Sequence, residues 1–255
     1  MTGNLLKYIA ALGTLLLSFS ANAQQADEER VGRSAAAQLL GAARLVDSSV
    51  VQTYVNTVGQ SIAQYSGANY TWHFGVVASD SINAFAMPGG YILLTAGLVR
   101  LLQSEDDLAY VLAHEIAHVV RRHHYQVIQR QRLAEQASKN LQEVSKEDEM
   151  AKLSLASGQI YARGLDKTAE YESDRLGAEF MTKAGYDPAN SLGVLEQLIH
   201  FKGNDPRTEL LFSTHPNPTE RFSALVEAGI DKLPRPAVKT NANREKRFKL
   251  FRDAV

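Results

Sequence analysis

The stretch that most constrains this chain is Ser104–His124, SEDDLAYVLAHEIAHVVRRHH. It reads as one amphipathic helix. Ser104 is a candidate N-cap, and Glu105, Asp106 and Asp107 fill a first turn that favours negative charge. Leu108, Val111, Leu112, Ile116 and Val119 recur at helical spacing, so one side belongs in a core. His114 and His118 stand four residues apart, which puts two imidazoles on one face, roughly 5–6 Å apart at Cβ. Two such rings can share one small cation, and Glu115 beside them can take a proton from a water on that cation. With 7 His in 255 residues, chance would produce this pattern about 0.01 times. Its flanks are apolar, where two unliganded histidines would be costly to bury.

Met1–Ala23 has the layout of a secretory signal: Lys7 in front, the apolar run Ile9–Phe19, then Ala21-Asn22-Ala23 as a small-residue cleavage site. That run is short of the roughly twenty residues a bilayer-spanning helix needs. Tyr91–Leu102 is interrupted by Thr95 and Arg100, and there is no cysteine for lipid attachment or a disulfide. The expectation is a soluble exported protein in the periplasm, with an uncleaved N-terminal anchor as the alternative. Its domains would be the signal, 1–23, one large domain, 24–230, and a basic tail, 231–255, in which eight Lys/Arg face three Asp/Glu. Such a tail reads as solvated, the alternatives being that it docks on the domain or attracts an acidic envelope partner. A formal net charge of −1 argues against a nucleic-acid protein.

Elsewhere the periodicity predicts helices over Asp27–Val46 and Val50–Tyr65, then a strand over Tyr70–Val77 with His73 facing solvent. Asn83–Met87 and Tyr91–Leu94 flank Pro88-Gly89-Gly90 and read as a hairpin, and Thr95 caps a short helix through Leu102. The Ser104 helix can run on unbroken past His124 towards Gln142, with Gln129–Glu149 polar and exposed. Met150–Arg163 reads as another helix. Asp166 caps Lys167–Lys183 with Gly185 as the stop, and Asp187-Pro188 opens a helix to Phe201. Lys202–Pro216 reads as a loop, and Asn217-Pro218-Thr219-Glu220 resembles a capping box for a helix ending at Gly229.

Two histidines leave a zinc ion short of a third protein ligand. His124 follows His118 at a familiar ligand spacing, but in an unbroken helix six residues turn it about 240° away. With Arg121, Arg122 and His123 it then forms a solvated basic stretch. Glu170 is the stronger candidate. It shares a helix face with Asp174, which can accept the second N–H of a ligand histidine, while Glu172 points about 160° away. An exposed acidic face is the alternative reading.

The HExxH of His114–His118, the ExxxD of Glu170–Asp174, Asn83-Ala-Phe-Ala-Met-Pro-Gly-Gly90 and Ser213-Thr-His-Pro216 with Arg221 together resemble the zinc peptidase family of HtpX, the CAAX prenyl proteases and periplasmic BepA-type enzymes. The resemblance implies an α+β, mostly helical gluzincin domain with a small sheet and one Zn2+ per chain. It further implies proteolysis of unfolded or misfolded envelope proteins, that is, quality control. His114, His118 and Glu170 would hold the zinc and Glu115 would shuttle the proton. Substrate would add a strand along Asn83, Ala84, Phe85 and Ala86. His215 would aid the oxyanion or sit on the metal as a gate, a helix cap being its plainer role. The chain lacks the transmembrane helices of HtpX and room for the repeat domain of BepA. A chaperone-like protein that uses the same groove without cutting is the rival function.

Overall fold

The computed structural model describes residues 23–141, 165–201, 205–215, 217–236 and 242–255, with backbone alone for 134–141. The expected signal through residue 22, the helix over Met150–Arg163 and Pro216 lie outside these residues. The fold is α+β and mostly helical, built around a three-stranded sheet.

Helix α1 (23–42) is followed by α2 (Ser49–Ala63) and the strands β1 (His73–Val77), β2 (Ala84–Met87) and β3 (Tyr91–Thr95). Sheet order is β1-β3-β2, with β1 parallel and β2 antiparallel to β3. Pro88-Gly89-Gly90 turns the β2–β3 hairpin, and both glycines adopt positive φ, 76° and 97°, which side chains rarely tolerate. Strand side chains alternate between two faces. Ala84, Ala86, Ile92, Leu94, Phe74 and Val76 enter the main core, and Phe85, Met87, Leu93 and Val77 pack against Ala36 of α1. His73 is the exposed end of β1, as its alternation predicts, and stacks on Tyr91.

The outer edge of β1 is sealed by amides from one face of α2. Gln52 bonds both Val76 N and Val76 O at 3.0 Å, Asn56 Nδ2 donates to Phe74 O at 2.7 Å, and Gln60 Nε2 donates to Trp72 O at 3.0 Å. Residues four apart on a helix lie in line, so the three amides replace a neighbouring strand. Among the described residues β2 then carries the sheet's other edge.

Thr95 caps α3 (Ala96–Leu101), and Ser104 caps α4 (Glu105–Val120), its hydroxyl accepting from Asp107 N at 3.1 Å. Every residue of α4 from Glu105 to Val119 is buried, as expected of a helix enclosed on all sides. Leu112 and Ile116, fully buried, each contribute about 1.5–3 kcal/mol. Then the chain departs from the unbroken helix. Arg121 caps α4, Arg122 takes a left-handed φ of 58°, and α5 (His123–Leu141) starts afresh. His123 and His124 are consequently buried rather than solvated.

Asp166 caps α6 (Lys167–Lys183), whose buried face runs Ala169, Glu170, Ser173, Asp174, Gly177, Ala178, Met181. This face lies directly on α4. At Gly177 an added Cβ would stand 2.9 Å from the backbone nitrogen of His114, so only glycine allows the approach. Helix α7 (Ala189–Ile199) follows. Part of the expected loop 202–216 is helical instead: α8 (Glu209–Thr214) buries Leu211 and is ended by His215. Asn217 caps α9 (Pro218–Glu227), accepting from Glu220 N at 3.2 Å.

The basic tail docks on its own domain. Helix α10 (Ala242–Asp253) buries Phe248 and Phe251, the latter stacked 4.5 Å from Tyr54. Its Arg247 pairs with Glu105 and Arg244 with Asp106, so these arginines are engaged within the chain and offer no support for an envelope partner held by the tail.

Candidate active site

The two histidines of α4 do converge. His114 Nε2 and His118 Nε2 lie 2.9 Å apart, and Glu170 reaches them from α6, Oε1 at 3.4 Å from His118 Nε2 and Oε2 at 3.8 Å from His114 Nε2. His215, set where α8 stops, brings Nδ1 to 3.2 Å from both Glu170 oxygens. These four residues are buried, and one donor atom from each lies within 4.8 Å of all the others. Two imidazoles and a carboxylate are the donor set of a catalytic zinc site, with bonds of about 2.0–2.2 Å, so the cluster fits a single such ion.

The residues behind the donors are fully occupied. Asp174 accepts from His114 Nδ1 at 2.8 Å, from Tyr110 Oη at 2.7 Å and from Arg221 Nη2 at 2.6 Å and Nε at 2.9 Å. Arg221 Nη1 also lies 3.2 Å from Glu170 Oε2, so one guanidinium ties both carboxylates of α6 to α9. Burial works against their charge, but Arg221 and the histidines outweigh it: Asp174 is held well below the usual range and Glu170 at about 2. Burial likewise disfavours a charged His215, yet the Glu170 and Glu115 carboxylates raise its pKa.

Glu115 differs from the other carboxylates here. It is 2% exposed, its Oε2 has no hydrogen-bond partner among the described residues, and its nearest cationic contact is His215 Nε2 at 3.9 Å. Burial pushes its pKa up. A buried unpaired carboxylate oxygen is costly, and beside a cluster of metal donors it suits a group kept for proton transfer.

Asn83, at the head of β2, is 0% exposed, with neither side-chain polar atom paired among the described residues. Ala84, Phe85 and Ala86 are buried too. Ala86, Met87 and Pro88 face His118, His124 and Tyr125 across a narrow gap. His124, 5.5 Å from His118 ring to ring, lies outside the donor cluster despite the helix break. Glu172 points away from Glu170 and pairs with Arg121 at 2.7 Å.

Three participants have no role in the site as read from the sequence, although Arg221 stands there within a motif and His123 within the basic stretch. Tyr110 precedes His114 by four residues, so helical spacing alone could have placed it beneath that ring. Arg221 precedes the buried Leu225 by four, which marks an arginine turned inward. His123 has no such signal. It reaches His118 only because of the bend at Arg122, where no glycine announces a turn.

The fold and this cluster define a zincin-type metallopeptidase domain. Comparison with known proteins agrees. The sequence model of Peptidase family M48 matches residues 49–228, and the chain belongs to that family. It is 32% identical over 209 residues to the beta-barrel assembly-enhancing protease of Yersinia pestis, covering 78% of this chain and 43% of that protein. The Escherichia coli protein of the same name is 30% identical over 206 residues, 77% and 42% of the two chains. The mitochondrial metalloendopeptidase OMA1 of Arabidopsis thaliana is 31% identical over 166 residues, 63% and 32%. The match thus spans under half the length of these relatives.

Proposed function

We propose that this protein is an exported zinc-dependent endopeptidase acting on unfolded or misfolded proteins of the cell envelope. The observation that carries the reading is the buried four-donor cluster with the unpaired Glu115 oxygen beside it. His114, His118 and Glu170 hold the zinc, one per chain. Bound zinc polarises the scissile carbonyl and lowers the pKa of a water to about 7. Glu115 takes the proton of the attacking water and delivers it to the leaving amine. Asp174, itself locked by Tyr110 and Arg221, holds the Nδ1 proton of His114 and thereby keeps Nε2 free for the metal.

The substrate lies extended along Asn83–Ala86. Two observations support this reading: the sealed β1 edge, which leaves β2 to accept a strand, and the unpaired Asn83 amide, which a peptide backbone would satisfy. Backbone pairing selects unfolded segments over particular sequences. The gap beside β2 is too narrow for a strand, so substrate entry moves the start of α5. His215, whose Nδ1 lies 3.2 Å from both Glu170 oxygens, would close the site as a fourth donor until substrate arrives.

The reading includes export through Met1–Ala23, whose Lys7, Ile9–Phe19 and Ala21-Asn22-Ala23 have the layout of a secretory signal, and a periplasmic address. Among the described residues no helix is long and apolar enough to cross a membrane. The domain proper is 24–230 and the tail 231–255 is its brace.

The test is incubation of purified Gln24–Val255 with casein, with and without a chelator, beside Glu115→Gln. Cleavage by wild type alone, abolished by chelation and reduced about 10²–10⁴-fold in the variant, supports the reading. Undiminished cleavage by Glu115→Gln refutes the role of Glu115. Binding of casein without cleavage by wild type leaves the chaperone-like function in its place.

A further inference from the structure

A ligand histidine works only if its ring is fixed and its proton sits on the nitrogen away from the metal. Asp174 does this for His114, at 2.8 Å from Nδ1. No carboxylate is paired with His118 Nδ1 among the described residues; the ring of His123 stands there, Nδ1 to Nδ1 at 3.0 Å. The far side of that second ring, Nε2, lies 3.2 Å from Glu172 Oε2, and Glu172 Oε1 is held by Arg121 at 2.7 Å.

The proton positions along this line follow from one end. His118 Nε2 faces the donor cluster and must offer a lone pair, so Nδ1 carries the hydrogen. His123 Nδ1 must then accept, its own hydrogen moves to Nε2, and Nε2–H donates to the Glu172 carboxylate. Ser173 Oγ, 3.3 Å from His123 Nδ1, can only add a second donor to the same lone pair.

We infer that His123 is the positioning residue of His118, orienting it and fixing its tautomer through a two-imidazole line anchored on Glu172. The reading rests on the metal assignment of the site. It explains why the chain tolerates Arg122 in the left-handed region, a conformation unfavourable for a residue with a Cβ. The bend returns His123 to the ring five residues earlier, which a continued helix could not do. Glu28 of α1, buried and 2.9 Å from Arg122 Nε, holds the bend in place.

The experiment measures zinc affinity by competition with a chelator in the full mature chain, together with thermal unfolding of the metal-free protein. His123→Ala should weaken zinc about 10–100-fold while the metal-free protein melts near wild type. His123→Asn keeps an acceptor for His118 Nδ1–H and should recover affinity to within about threefold of wild type. Glu172→Ala, acting through His123, should lose less than His123→Ala. Wild-type affinity in His123→Ala, or an equal loss in His123→Asn, overturns the inference. If the alanine variant fails to fold, the asparagine variant decides by the same two outcomes. A wild-type stoichiometry far from one zinc per chain, read in the same titration, would instead overturn the metal assignment.

Discussion

Gly177→Ala tests how the site is assembled, because α6 closes on α4 there at the backbone of His114, the first of the proposed metal ligands. The new methyl carbon would stand 2.9 Å from His114 N and 3.1 Å from both Ala113 C and His114 Cα. All three are backbone atoms, so no side chain can swing aside. Comfortable contact begins near 4 Å, so the helices must part by about half to one ångström there. Asp174 lies one turn away on the same face, and its 2.8 Å bond to His114 Nδ1 would stretch past the useful range. Overpacking costs about 1–3 kcal/mol, against which alanine recovers about 0.5–1 kcal/mol of helix propensity. The expected net loss is about 1–2 kcal/mol, or roughly 2–8 °C in Tm for a chain of this size. Zinc affinity should fall about tenfold or more as the Asp174 bond lengthens. Gly193→Ala is the control, since its Cβ would meet nothing within 4 Å on α7. It should raise stability by about 0.5–1 kcal/mol and leave zinc untouched. If Gly177→Ala melts as high as Gly193→Ala and binds zinc like wild type, the tight seat of α6 on His114 is wrong.

Glu170→Ala should lose zinc on dialysis against a weak chelator, whereas His124→Ala should retain it; metal analysis of both reverses the ligand assignment if the pattern is opposite. His215→Ala should cleave a short unstructured peptide faster than wild type if the histidine gates the metal, and more slowly if it stabilises the transition state. Equal rates and equal zinc affinity would reduce it to a helix cap. Glu170 sits at about 2 in the folded protein against about 4.3 unfolded, so its contribution to stability is complete above the unfolded value and lost as pH falls towards 2. Metal-free protein should therefore melt progressively earlier from about pH 5 to pH 2, and Glu170→Gln should flatten that slope. Tyr110→Phe should cost about 1–1.5 kcal/mol on thermal unfolding and no more, because Arg221 and His114 still satisfy Asp174.

What could be read in advance was whatever a single helix decides. The common face of His114 and His118, and of Glu170 and Asp174 with Glu172 turned away, follows from 100° per residue and needs no knowledge of the neighbours. The sheet was legible from the alternation around His73 and from the Pro88-Gly89-Gly90 turn. Relations between elements were not. That Arg221 spans Glu170 and Asp174 depends on how α9 crosses α6, which periodicity leaves undefined. The bend at Arg122 was hidden because four basic residues in a row suit an exposed helix as well as a break. Its visible anchor is tertiary, Arg122 Nε lying 2.9 Å from the buried Glu28 carboxylate of α1. Residues 205–215 read as irregular because Asp205 and Pro206 dominate the local signal and the apolar run Leu210-Leu211-Phe212 is too short to show a helical period.

The family match runs from 49 to 228, yet α1 and α10 lie on either side of it. Cutting the chain at those borders would strip the outer sheet face, laying Phe85, Met87 and Leu93 open to water where Ala36 and its neighbours now cover them. It would also remove Arg244 and Arg247 from Glu105 and Asp106, leaving two buried carboxylates without these cationic partners. Anyone excising a minimal catalytic fragment for recombinant work therefore has to carry both flanks. A fragment bounded by the homology would be an aggregation-prone piece with the right histidines and no stable frame to aim them.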